Sequence, residues 1–265
     1  MLAVTDDLMP VALEAVDLAV RVLHDAHGHG PLAAKGDRDY SSQLDLDVER
    51  RLRDHLQAAT PEIGFFGEEE GSRGDPNGPR WVLDPIDGTV NFVHGLPLYA
   101  VSLALVVGSQ PVIGVIDLPA TQVRYQAVHG QGARRNGHRM PVVEPPTDLA
   151  SAVVAIGDYA VGNHAPEKNR ARLAVTNRLA ATALRVRMLG SAATDLAWVA
   201  EGHLDATITL SNNPWDMSAG VVLARETGHS VVDTEGHDYN LTSQATITAH
   251  PELLPEVLDV LQACL

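Results

Sequence analysis

The chain has 265 residues, 45% hydrophobic and 20% charged, which describes an ordinary soluble globular protein long enough for one large domain or two closely packed halves. Its 34 acidic residues against 19 basic ones leave a net charge of −15, which argues against nucleic acid or an anionic membrane as partner, since both require basic patches. The single cysteine, Cys264, excludes an intrachain disulfide and fits a reducing compartment. No basic segment followed by an apolar run follows Met1, and the longest apolar run, Leu103 to Val107, is too short to span a bilayer. A cytoplasmic protein is the expectation.

Taken in chain order, Leu8, Ala12, Ala15, Val16, Ala19 and Leu23 fall at helical spacing and predict a helix over 8–24. His24, His27 and His29 follow among Gly28, Gly30 and Pro31. Imidazoles are common metal ligands, but this context reads as a solvated loop. Residues 35–42 are polar and read as a mobile segment. A helix is expected from Asp45 to Ala59, with Leu46, Leu52 and Leu56 inward, and Thr60-Pro61 stops it. On its own, Asp45 reads as an N-cap. Residues 63–66 predict a short strand that delivers Gly67-Glu68-Glu69-Glu70, and three glutamates in a row usually mark a solvated face. Residues 71–79 read as a loop.

The most informative stretch is Trp81-Val-Leu-Asp-Pro-Ile-Asp-Gly-Thr89. Trp81 to Leu83 suit a buried strand, Asp84 sits at its end, and Pro85, which cannot donate to a ladder, is expected to turn the chain. Asp87 follows in the turn, Gly88 permits a left-handed bend, and Thr89 supplies a hydroxyl. Asp84 and Asp87, with the Ile86 carbonyl between them, could hold a hard divalent cation such as Mg²⁺ or could cap local N–H groups. The motif alone leaves both readings open.

Strands are expected over 100–107, 112–117 and 122–128, forming an antiparallel meander. Gly130-Gln131-Gly132 has a partial likeness to a nucleotide-binding glycine loop but lacks a following helix, and Asn136-Gly137 signals a hairpin. Residues 141–149, with Pro145-Pro146, mark a boundary between halves at 1–145 and 146–265. The second half alternates, with strands near 151–156, 186–188, 205–210, 230–233 and 245–248. Helices are expected over 166–183, after Gly190-Ser191-Ala192-Ala193 to about Glu201, over 216–225 and over 251–264, implying an α/β arrangement behind an α+β first half. Trp81, Trp198 and Trp215 read as core residues.

The run Trp-Val-Leu-Asp-Pro-Ile-Asp-Gly-Thr-Val-Asn-Phe, preceded by Gly67-Glu68-Glu69 and followed by Trp215-Asp216-Met217-Ser218-Ala219-Gly220, resembles the signature motifs of the inositol monophosphatase family in order and approximate spacing. The similarity extends over nearly the whole chain. It implies a layered αβαβα sandwich of the inositol monophosphatase and fructose-1,6-bisphosphatase type, a lithium-sensitive phosphatase dependent on two or three Mg²⁺ ions, and a homodimer. Onto this chain it carries the metal ligands Glu68, Asp84, Asp87 and Asp216 with the Ile86 carbonyl. It places the nucleophilic water between Glu68 and Thr89, with Asp45 orienting the Thr89 hydroxyl. Asp47 is the nearby alternative, but two residues along a helix it points elsewhere.

The same resemblance assigns substrate contacts to Asp87, Gly88, Thr89, Asp216 and the loop Gly190-Ser191-Ala192, whose small residues allow a polyol to approach the backbone; packing of a helix against a strand would use them equally well. One position departs from the family. Where a glutamate commonly contacts the inositol hydroxyls, seven residues before Asp216, this chain has Thr209. The expected function is therefore an Mg²⁺-dependent phosphomonoesterase acting on a small cyclitol, sugar or related metabolite phosphate. The alternatives are a histidinol-phosphate or nucleotide phosphatase on the same fold, or a non-enzymatic regulatory homologue.

Overall fold

The computed structural model describes residues 2–26, 32–36, 39–75, 77–144 and 146–265, with 2–6, 32–36 and 39–42 as backbone only. The first half opens with helix α1 (Leu2–Asp25), a hairpin of β1 (Leu32–Gly36) and β2 (Asp39–Ser42), and helix α2 (Gln43–Ala59). Strands β3 (Gly64–Gly67), β4 (Gly71–Arg73) and β5 (Arg80–Asp87), the short helix α3 (Thr89–Val93), and strands β6 (Ala100–Val107), β7 (Gln110–Leu118), β8 (Val123–Val128), β9 (Gly132–Arg135) and β10 (His138–Arg139) follow. The last eight of these strands form one sheet in the order β10-β9-β8-β7-β6-β5-β3-β4, antiparallel except where β3 runs parallel to β5.

The second half contributes β11 (Val153–Ile156), α4 (Ala165–Thr182), β12 (Arg185–Arg187), α5 (Ala192–Glu201), β13 (Ala206–Thr209), α6 (Pro214–Glu226), β14 (Ser230–Val232), β15 (Thr246–Ala249) and α7 (Leu254–Gln262). Its sheet runs β12-β11-β13-β15-β14, parallel among the first three strands and antiparallel among the rest.

Five layers result, a mixed α+β sandwich. Side chains on a strand alternate faces, and β5 shows the consequence. Trp81, Leu83 and Ile86 pack with α1 and α2, while Val82 faces the cluster that includes Ala193 and Ala197 of α5 and Ala219 and Val222 of α6. The second sheet packs its other face, through Val154, Ile156, Ile208 and Ile247, on Val175 and Leu179 of α4 and Val257 of α7. Helices α5 and α6 thus form the central layer, which the second half supplies and the first half's sheet covers.

Several local expectations change. α1 begins six residues before the predicted start, with Pro10 inside its first turns, and the segment at 35–42 carries strand pairing between β1 and β2 that its polar sequence did not announce. Pro85 does not end its strand. β5 runs on to Asp87, and a bulge between Asp84 and Asp87 absorbs the missing donor. The segment 71–79 includes β4, paired with β3. Of the three tryptophans only Trp81 is fully buried, with its Nε1–H donating to Thr60 Oγ1 at 3.0 Å; Trp198 and Trp215 are half-buried. The hairpin at Asn136-Gly137 is present, with both residues at positive φ (47° and 79°). The Gly130-Gln131-Gly132 turn does not sit beneath a helix N-terminus. Its Gly130 and Gly132 N–H groups donate to the Glu226 carboxylate at 2.7 Å each. His24 is exposed beside Asp25, and His27 and His29 lie outside the described residues. No helix among the described residues is long and apolar enough to cross a membrane.

Candidate active site

The site forms where the ends of three elements meet between the sheets: the C-terminal end of β5, the N-terminus of α5 and the N-terminus of α6. Asp84 sits opposite Ser102 in the β5–β6 ladder, just before the bulge, and its Oδ1 accepts the Ile86 N–H at 3.0 Å. That bond, with Pro85 lacking a donor, aims the Ile86 carbonyl outward to where the Thr89 hydroxyl meets it at 3.0 Å. Asp87 leaves the strand toward the second half. Its carboxylate accepts the N–H groups of Ala192 (3.2 Å) and Ala193 (2.9 Å) and the Ser191 hydroxyl. Asp87 therefore caps α5 from across the fold, where its charge complements the helix dipole. Asp216 lies in the first turn of α6, behind Pro214, and accepts from Asn213 Nδ2 at 3.1 Å.

Asp84, Asp87 and Asp216 each offer a carboxylate oxygen, and the three oxygens lie within 4.8 Å of one another. Burial drives the Asp84 pKa well above the ordinary carboxylate range, and Glu68, Asp87 and Asp216 push it the same way. Burial also raises Asp87, to about 6, against the pull of the Ser191, Ala193 and Ala192 donors. Asp216 rises for the same reason, reinforced by Asp87 and Glu68. The donor set is all oxygen, with three carboxylates, Glu68 within electrostatic reach and a backbone carbonyl beside them. That chemistry suits a hard divalent cation such as Mg²⁺ and not a thiophilic metal.

Helix α2 supports the cluster from the other side, and it does so with a polar stripe. Asp45, Glu49 and Arg53, spaced i, i+4, i+8, are all buried, whereas Leu46 is only half-buried. Asp45 Oδ1 accepts from the Thr89 hydroxyl at 3.1 Å. Thr89 has one O–H to share between Asp45 and the Ile86 carbonyl. Asp47 points away and pairs with Arg51 at 2.9 Å on the surface.

Glu49, which the sequence reading did not single out, accepts the Glu69 and Glu70 N–H groups at 2.8 and 2.7 Å and fixes the turn that carries Glu68. A Cβ on Gly67 would sit 2.3 Å from the Glu49 carboxyl carbon, so only glycine leaves room for it. Glu70 pairs with Arg50 and Arg53. The acidic run is therefore divided between a site-facing Glu68 and an arginine-bound Glu70. The i, i+4 spacing of Asp45 and Glu49 on an otherwise amphipathic helix was the available signal for Glu49.

Asn91 was likewise passed over. Its Nδ2 donates to the Leu98 and Leu189 carbonyls at 2.7 Å each, tying α3 to the loop before α5. Gly190 (φ 74°) lies against Asn91, and Gly88 (φ 85°) lies so close to the Gly190 and Leu98 carbonyls that a Cβ would stand 3.0 Å from each.

A cavity of about 180 Å³ opens beside this cluster, lined in part by Asp87, Gly190, Ser191, Ala192, Thr209 and Asp216. Thr209 is buried at the end of β13, with its side chain close to Gly157. Asp84, Asp87, Asp216, Thr89 and Asp45 are thus brought together, and the Gly190–Ala192 loop and Thr209 border the same cavity.

Comparison with known proteins agrees with this arrangement. The profile of the inositol monophosphatase family matches residues 4–265. A protein of Mycobacterium tuberculosis named probable inositol 1-monophosphatase ImpA is 34% identical over 257 residues, covering 96% of this chain and 93% of its own length. A protein of Pasteurella multocida named Nus factor SuhB is 34% identical over 233 residues, 87% of this chain and 85% of its own. Among solved structures, the SuhB protein of Bartonella henselae superposes with a TM-score of 0.89 at 32% identity, over 98% of this chain and 100% of that one. The Thermotoga maritima IMPase gives 0.87 at 30% identity, over 97% and 98%. Sequence motifs, layer order and whole-chain similarity converge, and the chain belongs to the inositol monophosphatase family of phosphatases.

Proposed function

We propose that the protein is an Mg²⁺-dependent phosphomonoesterase acting on a small cyclitol, sugar or related metabolite phosphate. The observation that carries this reading is the convergence of Asp84, Asp87 and Asp216 oxygens within 4.8 Å at one edge of a cavity of about 180 Å³. Glu68, Asp84, the Ile86 carbonyl, Asp87 and Asp216 would hold two or three Mg²⁺ ions. Bound there, Mg²⁺ supplies the positive charge that stabilises the attacking and leaving oxygens of a phosphate ester. Four mutually repelling carboxylates in a buried place are otherwise costly, so cation binding also stabilises the site's geometry.

The chain's own residues do the positioning. Thr89 donates its single proton to Asp45, which leaves its oxygen lone pairs to accept from the nucleophilic water, and Glu68 takes that water's other proton as general base. The Gly88 and Thr89 N–H groups face the phosphate at the start of α3. Asp87, with its α5 donors, fixes the ester oxygen's side of the site, and the Gly190-Ser191-Ala192 loop admits the alcohol. Thr209, short and neutral, replaces a longer acceptor, so myo-inositol 1-phosphate is a mediocre substrate beside another ester. The same reading includes lithium inhibition, a homodimer and a cytoplasmic location, which family membership and the single cysteine support.

The regulatory alternative is disfavoured by the Asp84, Asp87 and Asp216 cluster and, for an RNA partner, by the net charge of −15. The test is phosphate release from a panel of cyclitol, sugar, amino-alcohol and nucleoside phosphates with Mg²⁺ present. Hydrolysis of at least one ester at an ordinary enzymatic rate, roughly 1 s⁻¹ or faster, is expected. No release from any member would remove the phosphatase reading.

A further inference from the structure

The same cavity holds a second acidic feature that the phosphate chemistry does not use. Asp195, in the first turn of α5, is 2% exposed, and its Oδ1 has no hydrogen-bond partner. It does not cap its helix, because the Ala192 and Ala193 N–H groups donate to Asp87 and the Thr194 N–H donates to the Ser191 hydroxyl. Asp195 lines the same cavity as Thr209, Asp216 and the exposed Asp158; burial, then the nearby Asp87 and Asp158, raise its pKa. None of the residues lining the cavity is Lys, Arg or His.

A buried carboxylate oxygen without a donor is left with its desolvation penalty uncompensated, and the penalty is larger when the group is charged. Cations held by Asp84, Asp87 and Asp216 would neutralise those three groups, but Asp195 and Asp158 lie outside that set. Asp158 is exposed and hydrated, so the buried Asp195 oxygen is the group left for a ligand in the cavity to satisfy. A polyol hydroxyl supplies one donor and no charge. An ammonium supplies three donors and the missing positive charge. Thr209, bordering the same space, adds a hydroxyl and no competing cation.

We propose that Asp195, assisted by the exposed Asp158, binds a protonated amine on the leaving alcohol, so that this enzyme selects phosphate esters of amino alcohols. The proposal rests on the phosphomonoesterase reading above and names the substrate class of that site.

The experiment compares two ester series of increasing chain length, ω-amino-alkyl phosphates and the matching ω-hydroxy-alkyl phosphates, whose thin chains carry the amine to graded depths. The readout is the amine-to-hydroxyl ratio of kcat/KM, in wild type, Asp195→Asn and Asp195→Glu. Wild type is expected to favour the amine by about tenfold or more at one chain length, the worth of one charge-assisted bond. The ratio should fall to about one in Asp195→Asn and recover in part in Asp195→Glu.

Calorimetry of the free amino alcohols and diols on the Mg²⁺-loaded protein should show the same preference, lost in Asp195→Asn. A ratio near one at every length in wild type overturns the proposal. So does an unchanged ratio in Asp195→Asn, or a fall in Mg²⁺ affinity in that variant with the ratio intact. If neither series is hydrolysed, the phosphatase reading still stands or falls on the ester panel above, and calorimetry decides the amine site, with no amine preference overturning the proposal.

Discussion

Around one cavity, Asp84 is held by the Ile86 N–H of its own strand, Asp216 by Asn213 at the start of its own helix and Asp87 by donors of α5, whereas Asp195 has a buried oxygen without a hydrogen-bond partner. The first set is rigid by construction: a bulged strand, two helix N-termini and the α2 stripe of Asp45 and Glu49 lock one another. The second is assembled from the loop at Gly157-Asp158, the tip of β13 and one turn of α5, with its acceptors open. A site that must do the same chemistry on any phosphate gains from the first kind of set. A site that must distinguish one alcohol from another gains from acceptors left for the ligand to satisfy.

The sharpest way to break this contrast is to remove a charge from the rigid set. Asp216→Asn and Asp87→Asn each preserve volume, and each should lower kcat by about a thousandfold or more at saturating Mg²⁺ with an unchanged circular dichroism spectrum. Near-normal kinetics in either variant would mean that the cluster is not the reaction centre.

The second test reads the cost of the cluster without metal. Asp87 moves from 3.8 to about 6 on folding. Between those values the native protein keeps a proton that the unfolded chain has released, so stability falls as pH rises and stays lower above the window. The shift corresponds to about 3 kcal/mol. Metal-free wild type should therefore lose stability relative to Asp87→Asn from pH 4 to 7 in denaturant titrations, and Mg²⁺ should abolish the loss. Parallel curves for the two proteins would show that Asp87 is not stressed.

Next in size is the water-positioning pair. Thr89→Ala should reduce kcat by about a hundredfold while leaving the apparent Mg²⁺ affinity in place, since Thr89 orients a nucleophile and holds no cation. A fall in Mg²⁺ affinity with normal turnover at saturation would put Thr89 among the metal ligands instead. The smallest effect belongs to the open set. Thr209→Glu should raise kcat/KM for inositol 1-phosphate by about tenfold, one recovered hydrogen bond. Wild type already preferring that ester over the rest of the panel would defeat the argument from Thr209.

The same contrast explains what could be read from the chain. Asp84, Pro85, Ile86, Asp87, Gly88 and Thr89 are consecutive, and a contiguous motif carries its geometry with it; Trp215-Asp216 does so at a helix start. The alternating β-α order of the second half was legible because apolar strands of β-branched residues stand out between helices. Glu49 was not, because its partners, the Glu69 and Glu70 N–H groups, lie 20 and 21 residues away, and a buried carboxylate inside a charged helix looks like solvated surface. The bulge at Pro85 escaped for a related reason: proline excludes a ladder bond but not a strand that steps over it. Asp195 sits in Ala-Ala-Thr-Asp-Leu, which reads as an ordinary first helical turn. Only the α5 N-terminus being taken by Asp87 makes its carboxylate free for a ligand.

The most direct test of the central claim, that Asp84, Asp87, Asp216 and Glu68 form an Mg²⁺ centre for phosphate ester hydrolysis, is a titration of Mg²⁺ into metal-free protein followed by calorimetry and by phosphate release from the best ester of the panel. The account predicts no turnover in excess chelator, a saturable binding heat whose midpoint coincides with the rise of activity, and loss of both in Asp216→Asn. Full turnover in excess chelator would contradict it.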